Sequence, residues 1–130
     1  MDTSFWVALQ VPRDCRHTHA VDIWKSHGGP LRTSNLVMGE TWTWLRRRAG
    51  HGPALRFVTS VHQSQRVSVA VVNEAIDEQA WLWLSRHGAR SYSYVDATSF
   101  EIMRRERITE ALAFDADFTS AGFIEVRSQS

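Results

Sequence analysis

The chain has 130 residues, 43% hydrophobic and 22% charged, with a formal net charge of +1. That is enough chain for one domain with a real core and too little for two, so residues 1–130 are expected to form a single domain. No apolar run approaches the ~18 residues that span a bilayer, no basic stretch followed by an apolar core opens the chain, and one cysteine, Cys15, can make no intrachain disulfide. A cytoplasmic protein is expected. The charge balance does not announce a nucleic-acid binder, but 14 of the 15 basic residues are Arg, with Lys25 the only lysine. Guanidinium groups match phosphate oxygens bidentately. They cluster at Arg46-Arg47-Arg48 and at Arg104-Arg105 with Arg107.

In chain order, Thr3-Ser4 precedes the apolar run Phe5 to Gln10, read as a short first helix that Pro12 ends. His17 to Lys25 reads as a second helix, with Ala20, Val21, Ile23 and Trp24 inward and Gly28-Gly29-Pro30 as its stop. Leu31 to Thr33 is a short strand. Ser34 or Asn35 then caps a long helix to Ala49, and Gly50 terminates it. Pro53 stands near the start of a fourth helix running to Ser64. Val67 to Val72 is an almost unbroken β-branched run, as in a strand buried on both faces. Asn73 to His87 and Ser93 to Arg107 are helical. Ala111 to Phe114 is a compact strand, Asp117 to Ala121 a turn or short helix, and Phe123 to Val126 a last strand. Strands alternating with helices predict an α/β fold, a parallel sheet covered on both faces.

Most of the 14 acidic residues fall in polar or amphipathic surroundings. Four do not. Asp2 precedes the run Phe5-Trp6-Val7-Ala8-Leu9. Glu40 is the only charge between Arg32 and Arg46, on a helix face shared with Leu36, Val37 and Trp44. Asp96 follows Tyr94-Val95, and Asp115 leaves the strand Leu112-Ala113-Phe114, with Asp117 two residues on. Each has an ordinary reading when taken alone: Asp96 as the capping-box partner of Ser93, Asp115 and Asp117 as turn formers, Glu40 as a residue favoured by the helix dipole. Together they converge on the carboxyl edge of an open α/β sheet, where such folds bind ligands. Carboxylates crowded in that way must pair, protonate or bind a cation, and an all-oxygen set suits Mg²⁺ or Mn²⁺.

These residues stand in an order that resembles a known family. Asp2-Thr3-Ser4 resembles the opening motif of PIN domains, and Thr33-Ser34-Asn35-Leu36-Val37 leading to Glu40 and Arg46-Arg47-Arg48 resembles their second. The densest match is Tyr92-Ser93-Tyr94-Val95-Asp96-Ala97-Thr98-Ser99-Phe100, continuing through Met103-Arg104-Arg105 to Ala113-Phe114-Asp115-Ala116-Asp117-Phe118. Ala121-Gly122-Phe123 is similar to the close of a VapC toxin. The resemblance implies a three-layer fold with about five parallel strands, in the order 3-2-1-4-5, and helices on both faces.

It further implies a Mg²⁺- or Mn²⁺-dependent endoribonuclease that cuts structured RNA (tRNA or rRNA) and is silenced by a VapB-type antitoxin, usually as a homodimer. Asp2, Glu40, Asp96 and Asp115 become the metal-binding, catalytic acids and Asp117 an ancillary one. Ser4 and Thr98 support them, and Arg46, Arg47, Arg48, Arg104 and Arg105 hold the RNA. Family members carry several apolar residues ahead of the first Asp, as a central strand, whereas only Met1 precedes Asp2 here. That departure keeps an alternative in view, a catalytically impaired PIN fold used as an RNA- or protein-binding module.

Two tryptophan pairs, Trp42/Trp44 and Trp81/Trp83, are each two residues apart on a helix, about 200° around its axis. One member of each pair is expected to meet another chain. The six histidines show no ligand pattern, since His17 and His19 point to different faces of one helix.

Overall fold

The computed structural model describes residues 1–128. Its elements are α1 (Thr3–Gln10), α2 (His17–Ser26), β1 (Leu31–Ser34), α3 (Asn35–Arg48), α4 (His51–Gln63), β2 (Val67–Ala70), α5 (Glu74–Arg86), α6 (Tyr94–Glu106), β3 (Glu110–Ala111), α7 (Asp117–Ser120) and β4 (Ile124–Glu125). Several helix starts follow side-chain caps. Ser34 accepts from the Val37 N–H, Asn73 from Ile76, and Ser93 from Asp96 in a complete capping box. Between α3 and α4 the chain turns through Gly50 at φ 101°, a backbone region that favours glycine. Pro53 falls in the first turn of α4, where a missing N–H costs no helical bond.

The sheet departs from the expected one. Instead of one sheet of about five strands, the described residues form two parallel pairs, β1 with β2 and β3 with β4. Between them runs the dipeptide Met1-Asp2. The Met1 amino nitrogen donates to Arg32 O at 2.7 Å on one side, and the Asp2 N–H to Leu112 O at 2.9 Å on the other. One main-chain donor bond to each flank is too little to make a strand. The strand expected over Ala111 to Phe114 shortens to Glu110–Ala111 for the same reason, because residues 112–114 meet little backbone on that side. Below the dipeptide an apolar cavity of about 190 Å³ separates the two pairs, lined by Met1, Leu31, Ile102, Met103, Leu112 and Phe118 among others.

Side chains leave the sheet alternately, and the alternation divides the core. Leu112 joins a large cluster with Phe5 and Trp6 of α1, Ile23 of α2, Val37 and Leu45 of α3, and Phe57 and Val61 of α4. Ala111 and Ala113, on the other side, pack with Phe100 and Met103 of α6 and Phe118 of α7. Helices thus cover both faces, as expected of an α/β layer fold. Helix α1 is buried all round, at Phe5, Trp6, Val7 and Ala8. Trp6 meets Phe57 edge-on at 5.2 Å, and Phe5 stacks on Phe114 at 5.5 Å. That pins α1, and with it Asp2, between the two core halves.

Of the tryptophans, Trp42 and Trp44 are both half-buried against the large cluster, because α3 packs on α1 as well as on α4. The second pair splits: Trp83 packs into the smaller cluster, while Trp81 is 55% exposed.

Candidate metal centre and acidic cleft

Three carboxylates that lie far apart in sequence meet at one end of the layers. Asp2, Asp96 and Asp115 each offer an oxygen within 4.8 Å of the other two. Asp2 is the N-cap of α1, and Asp96 is the third residue of α6 inside its capping box. Both therefore sit at helix N-termini, where the aligned peptide dipoles favour negative charge. Asp115 follows the strand region of β3 and begins the turn into α7.

Each acid is oriented through one oxygen. Asp2 Oδ2 accepts from the Ser4 N–H at 3.1 Å and from Ser4 Oγ at 2.6 Å. Asp96 Oδ2 accepts from the Ser93 N–H at 3.3 Å, and Asp115 Oδ1 from the Asp117 N–H at 3.1 Å. The second oxygen of each has no hydrogen-bond donor among the described residues. Ser4 does more than cap. Its hydroxyl also accepts from the Phe114 N–H at 2.9 Å, joining the start of α1 to the residue before Asp115.

Electrostatics show the strain of the cluster. Asp96 is pushed from the usual 3.8 up to about 6, first by burial and then by the neighbouring Asp2 charge, against the lowering effect of its Ser93 hydrogen bonds. Asp115 rises further, to about 7, again by burial first and Asp2 second. Both groups therefore keep their protons to a higher pH than an ordinary carboxyl, and a divalent cation can take the place of those protons. An all-oxygen set with one unengaged oxygen per residue fits a hard ion such as Mg²⁺ or Mn²⁺. No other cluster of three or more metal-ligating side chains is found among the described residues.

The remaining candidates lie at graded distances from this centre. Glu40 lines the same cleft, but from an exposed position on α3, with its Oε1 accepting from Thr3 Oγ1 at 2.5 Å. The apolar face read from its neighbours does not bury it. Asp117 turns its carboxylate to Arg90, whose Nε donates at 2.6 Å. Thr98 is fully buried and its hydroxyl donates to Val95 O at 2.7 Å, within its own helix. Arg47 and Arg48 line a groove that shares Glu40 and Trp44 with the acidic cleft. Arg46, their neighbour, is exposed on the last turn of α3. Arg104 and Arg105 stand at the other end of α6 from Asp96, roughly 12 Å of helix rise away, and both pair with Glu101.

The cleft also holds residues that sequence reasoning missed: Thr3, Asp14, Cys15 and Arg16. The last three come from the irregular segment between α1 and α2, which carries no periodicity to read. Arg16 donates to Phe114 O at 2.5 Å and lies over the Phe114 ring, so a guanidinium borders the acids.

Comparison with known proteins identifies the family. The PIN domain family matches residues 1–124. The chain is 50% identical over 129 residues, 99% of its length and 98% of the relative's, to the 23S rRNA-specific endonuclease VapC20 of Mycobacterium tuberculosis, in strains CDC 1551 and H37Rv alike. The crystal structure of M. tuberculosis VapC20, described as a Sarcin-Ricin loop cleaving toxin, superposes with a TM-score of 0.93 at 50% identity, covering 97% of this chain and 96% of that one. The chain belongs to the PIN-domain family and is an endonuclease of the VapC type.

Proposed function

We propose that this protein is a divalent-metal-dependent endoribonuclease toxin that cuts the sarcin-ricin loop of 23S rRNA and so arrests translation. The observation that carries the chemistry is the Asp2–Asp96–Asp115 cluster, which lines one cleft with an oxygen of each carboxylate within 4.8 Å of the others. The half-identical relative over nearly the full length supports the choice of rRNA over tRNA.

In this reading Asp2, Asp96 and Asp115 hold the ion, Mg²⁺ or Mn²⁺, and Glu40 stands at the rim for a second ion or for the attacking water. When bound, the metal supplies an acidified water and neutralises charge as the phosphodiester breaks. The chain's own residues prepare that step. Ser4 fixes Asp2 against the backbone of Phe114, and the capping box fixes the Asp96 rotamer. Asp117 engages Arg90 and lends its N–H to Asp115. Thr98 supports the site through the first turn of α6. Arg46, Arg47 and Arg48 hold phosphates along the groove, and Arg104 and Arg105 serve the RNA at most from a distance.

A VapB-type antitoxin and a second copy of the chain are the protein partners proposed, on the likeness to VapC20. No helix is long and apolar enough to cross a membrane, and the cytoplasm is the compartment an rRNA substrate demands. Incubating purified protein and ribosomes with Mg²⁺, Mn²⁺ or EDTA, then mapping RNA ends by primer extension, tests the reading. A metal-dependent cut in the loop that Asp96→Asn abolishes supports it; a cut that survives EDTA or that substitution overturns it.

A further inference from the structure

Trp81 is an exposed indole held rigidly in place. Its ring stacks on Tyr94 with centroids 4.5 Å apart and planes 21° from parallel. Its Nε1 donates to Asp77 Oδ1 at 3.1 Å, and the Tyr94 hydroxyl donates to the same oxygen at 2.5 Å. One carboxylate oxygen thus fixes two rings side by side on α5 and α6. A large apolar face that is both exposed and immobilised loses little entropy on meeting a flat partner.

The position of the pair points to the partner. Tyr94 opens α6 two residues before Asp96, and it lines the groove that holds Trp44, Arg47 and Arg48. That groove runs into the acidic cleft through Glu40 and Trp44, which line both. Arg47 and Arg48 have no carboxylate partner among the described residues, whereas Arg32, Arg90, Arg104 and Arg105 all do. Guanidinium groups without a carboxylate partner, Arg48 lying over the Trp44 ring at 5.3 Å, suit a looped single strand when they stand beside a fixed aromatic step, with phosphates on the arginines and a base on the ring.

We propose that the Trp81–Tyr94 pair is a stacking platform for an unpaired nucleobase of the RNA cut in the acidic cleft. The inference rests on the ribonuclease reading above and adds to it a base-binding subsite beyond the metal-holding acids. Stacking of this kind tolerates any base, so it selects for an unpaired, splayed nucleotide rather than for a sequence.

The test uses the full chain and a synthetic stem-loop RNA carrying the sarcin-ricin loop. Trp81→Ala is expected to raise KM about tenfold, the size of one lost base–aromatic contact, with kcat little changed. Trp81→Phe should recover most of the loss. Loop nucleotides replaced one at a time by abasic sites should include one whose removal reproduces the defect in the wild type, and on that RNA Trp81→Ala should add nothing. The thermal unfolding midpoint of Trp81→Ala should fall by only a few degrees, since the ring is 55% exposed and gives up one stack and one hydrogen bond. If the wild type cleaves and Trp81→Ala has the same KM, the platform is refuted. It is equally refuted if the substitution weakens only antitoxin binding, which would make the pair a protein-docking surface. Should the wild type fail to cut this RNA, the activity reading fails, and anisotropy of the labelled RNA still decides the subsite. Trp81-dependent binding supports it, and binding indifferent to Trp81, or none, overturns it.

Discussion

Ser4 and Phe114, 110 positions apart, are joined by a 2.9 Å hydrogen bond whose acceptor hydroxyl donates in turn to Asp2 at 2.6 Å. This relay ties the N-cap of α1 to the residue preceding Asp115, so two of the three cleft acids share one support. Ser4→Ala is therefore expected to lower metal affinity and activity about 10- to 100-fold, the usual cost of losing a partner that orients a metal ligand. Titration of Mn²⁺ into Ser4→Ala and wild type, followed by cleavage rate, checks it. Unchanged affinity would mean that Ser4 serves only the fold.

Asp96→Asn keeps the capping geometry, since an amide oxygen can still accept from Ser93, but removes a charge from the cluster. Activity is expected to fall by roughly three orders of magnitude, as the loss of several kcal/mol of charge stabilisation requires. Metal-free stability should hold or rise, because burial and Asp2 both oppose the Asp96 charge. Melting curves in EDTA and in Mn²⁺ separate the two effects: the variant should lose the metal-induced shift and retain its EDTA midpoint.

The raised acids make stability depend on pH in a definite direction. Asp96, at about 6, and Asp115, at about 7, bind protons more tightly when folded than at their ordinary value of 3.8. Their contribution is complete below about pH 4 and is lost as pH rises through 6 and 7. Without metal, the midpoint of unfolding should drop between about pH 5 and pH 8, by on the order of 2 kcal/mol or roughly 5–10 °C. Mn²⁺ should reverse that slope, since it takes the place of the protons, and cleavage should climb over the same interval. A scan in EDTA and Mn²⁺ buffers reads both; an EDTA midpoint that rises with pH would contradict the assignment.

The two arginine clusters should behave differently. Replacing Arg47 and Arg48 by Ala is expected to weaken RNA binding at every salt concentration and to flatten the log K against log [salt] slope by about 1.5, for two lost phosphate contacts. The same change at Arg104 and Arg105, which pair with Glu101 at the far end of α6, should leave the slope nearly intact. Filter binding between low and moderate salt distinguishes them, and equal slopes would place the RNA elsewhere.

Much of this architecture was legible because helix ends announce themselves chemically. Ser34, Asn73 and Ser93 each cap where a short polar side chain precedes an apolar-periodic run. The capping-box reading of Asp96 does not exclude the metal-ligand one, because Oδ2 serves the box while the same side chain lines the cleft beside Asp2 and Asp115. Asp2 likewise caps α1, which begins at Thr3 rather than at Phe5, where the apolar run starts. The divided sheet was not legible, since it depends on how many backbone bonds a dipeptide can make, which hydrophobic pattern does not record. Nor was the exposure of Glu40: apolar neighbours at helical spacing suggested a buried face, but that turn of α3 borders the cleft instead. Arg16 and Cys15 were missed because an irregular segment brings them in.

The seam at Met1-Asp2 has a mechanical consequence. The two strand pairs are tied there by only two main-chain bonds, one to Arg32 O and one to Leu112 O, and Asp2 lies on the seam itself. Asp2 is held to the β3 side by Leu112 O and by the Ser4–Phe114 relay, so sliding at the seam would fall first on the Met1–Arg32 bond and would carry Asp2 and Asp115 together. An ion gripped by both acids would stiffen that half alone, and slower hydrogen exchange along β3, with β1 unchanged, would be its signature on metal loading.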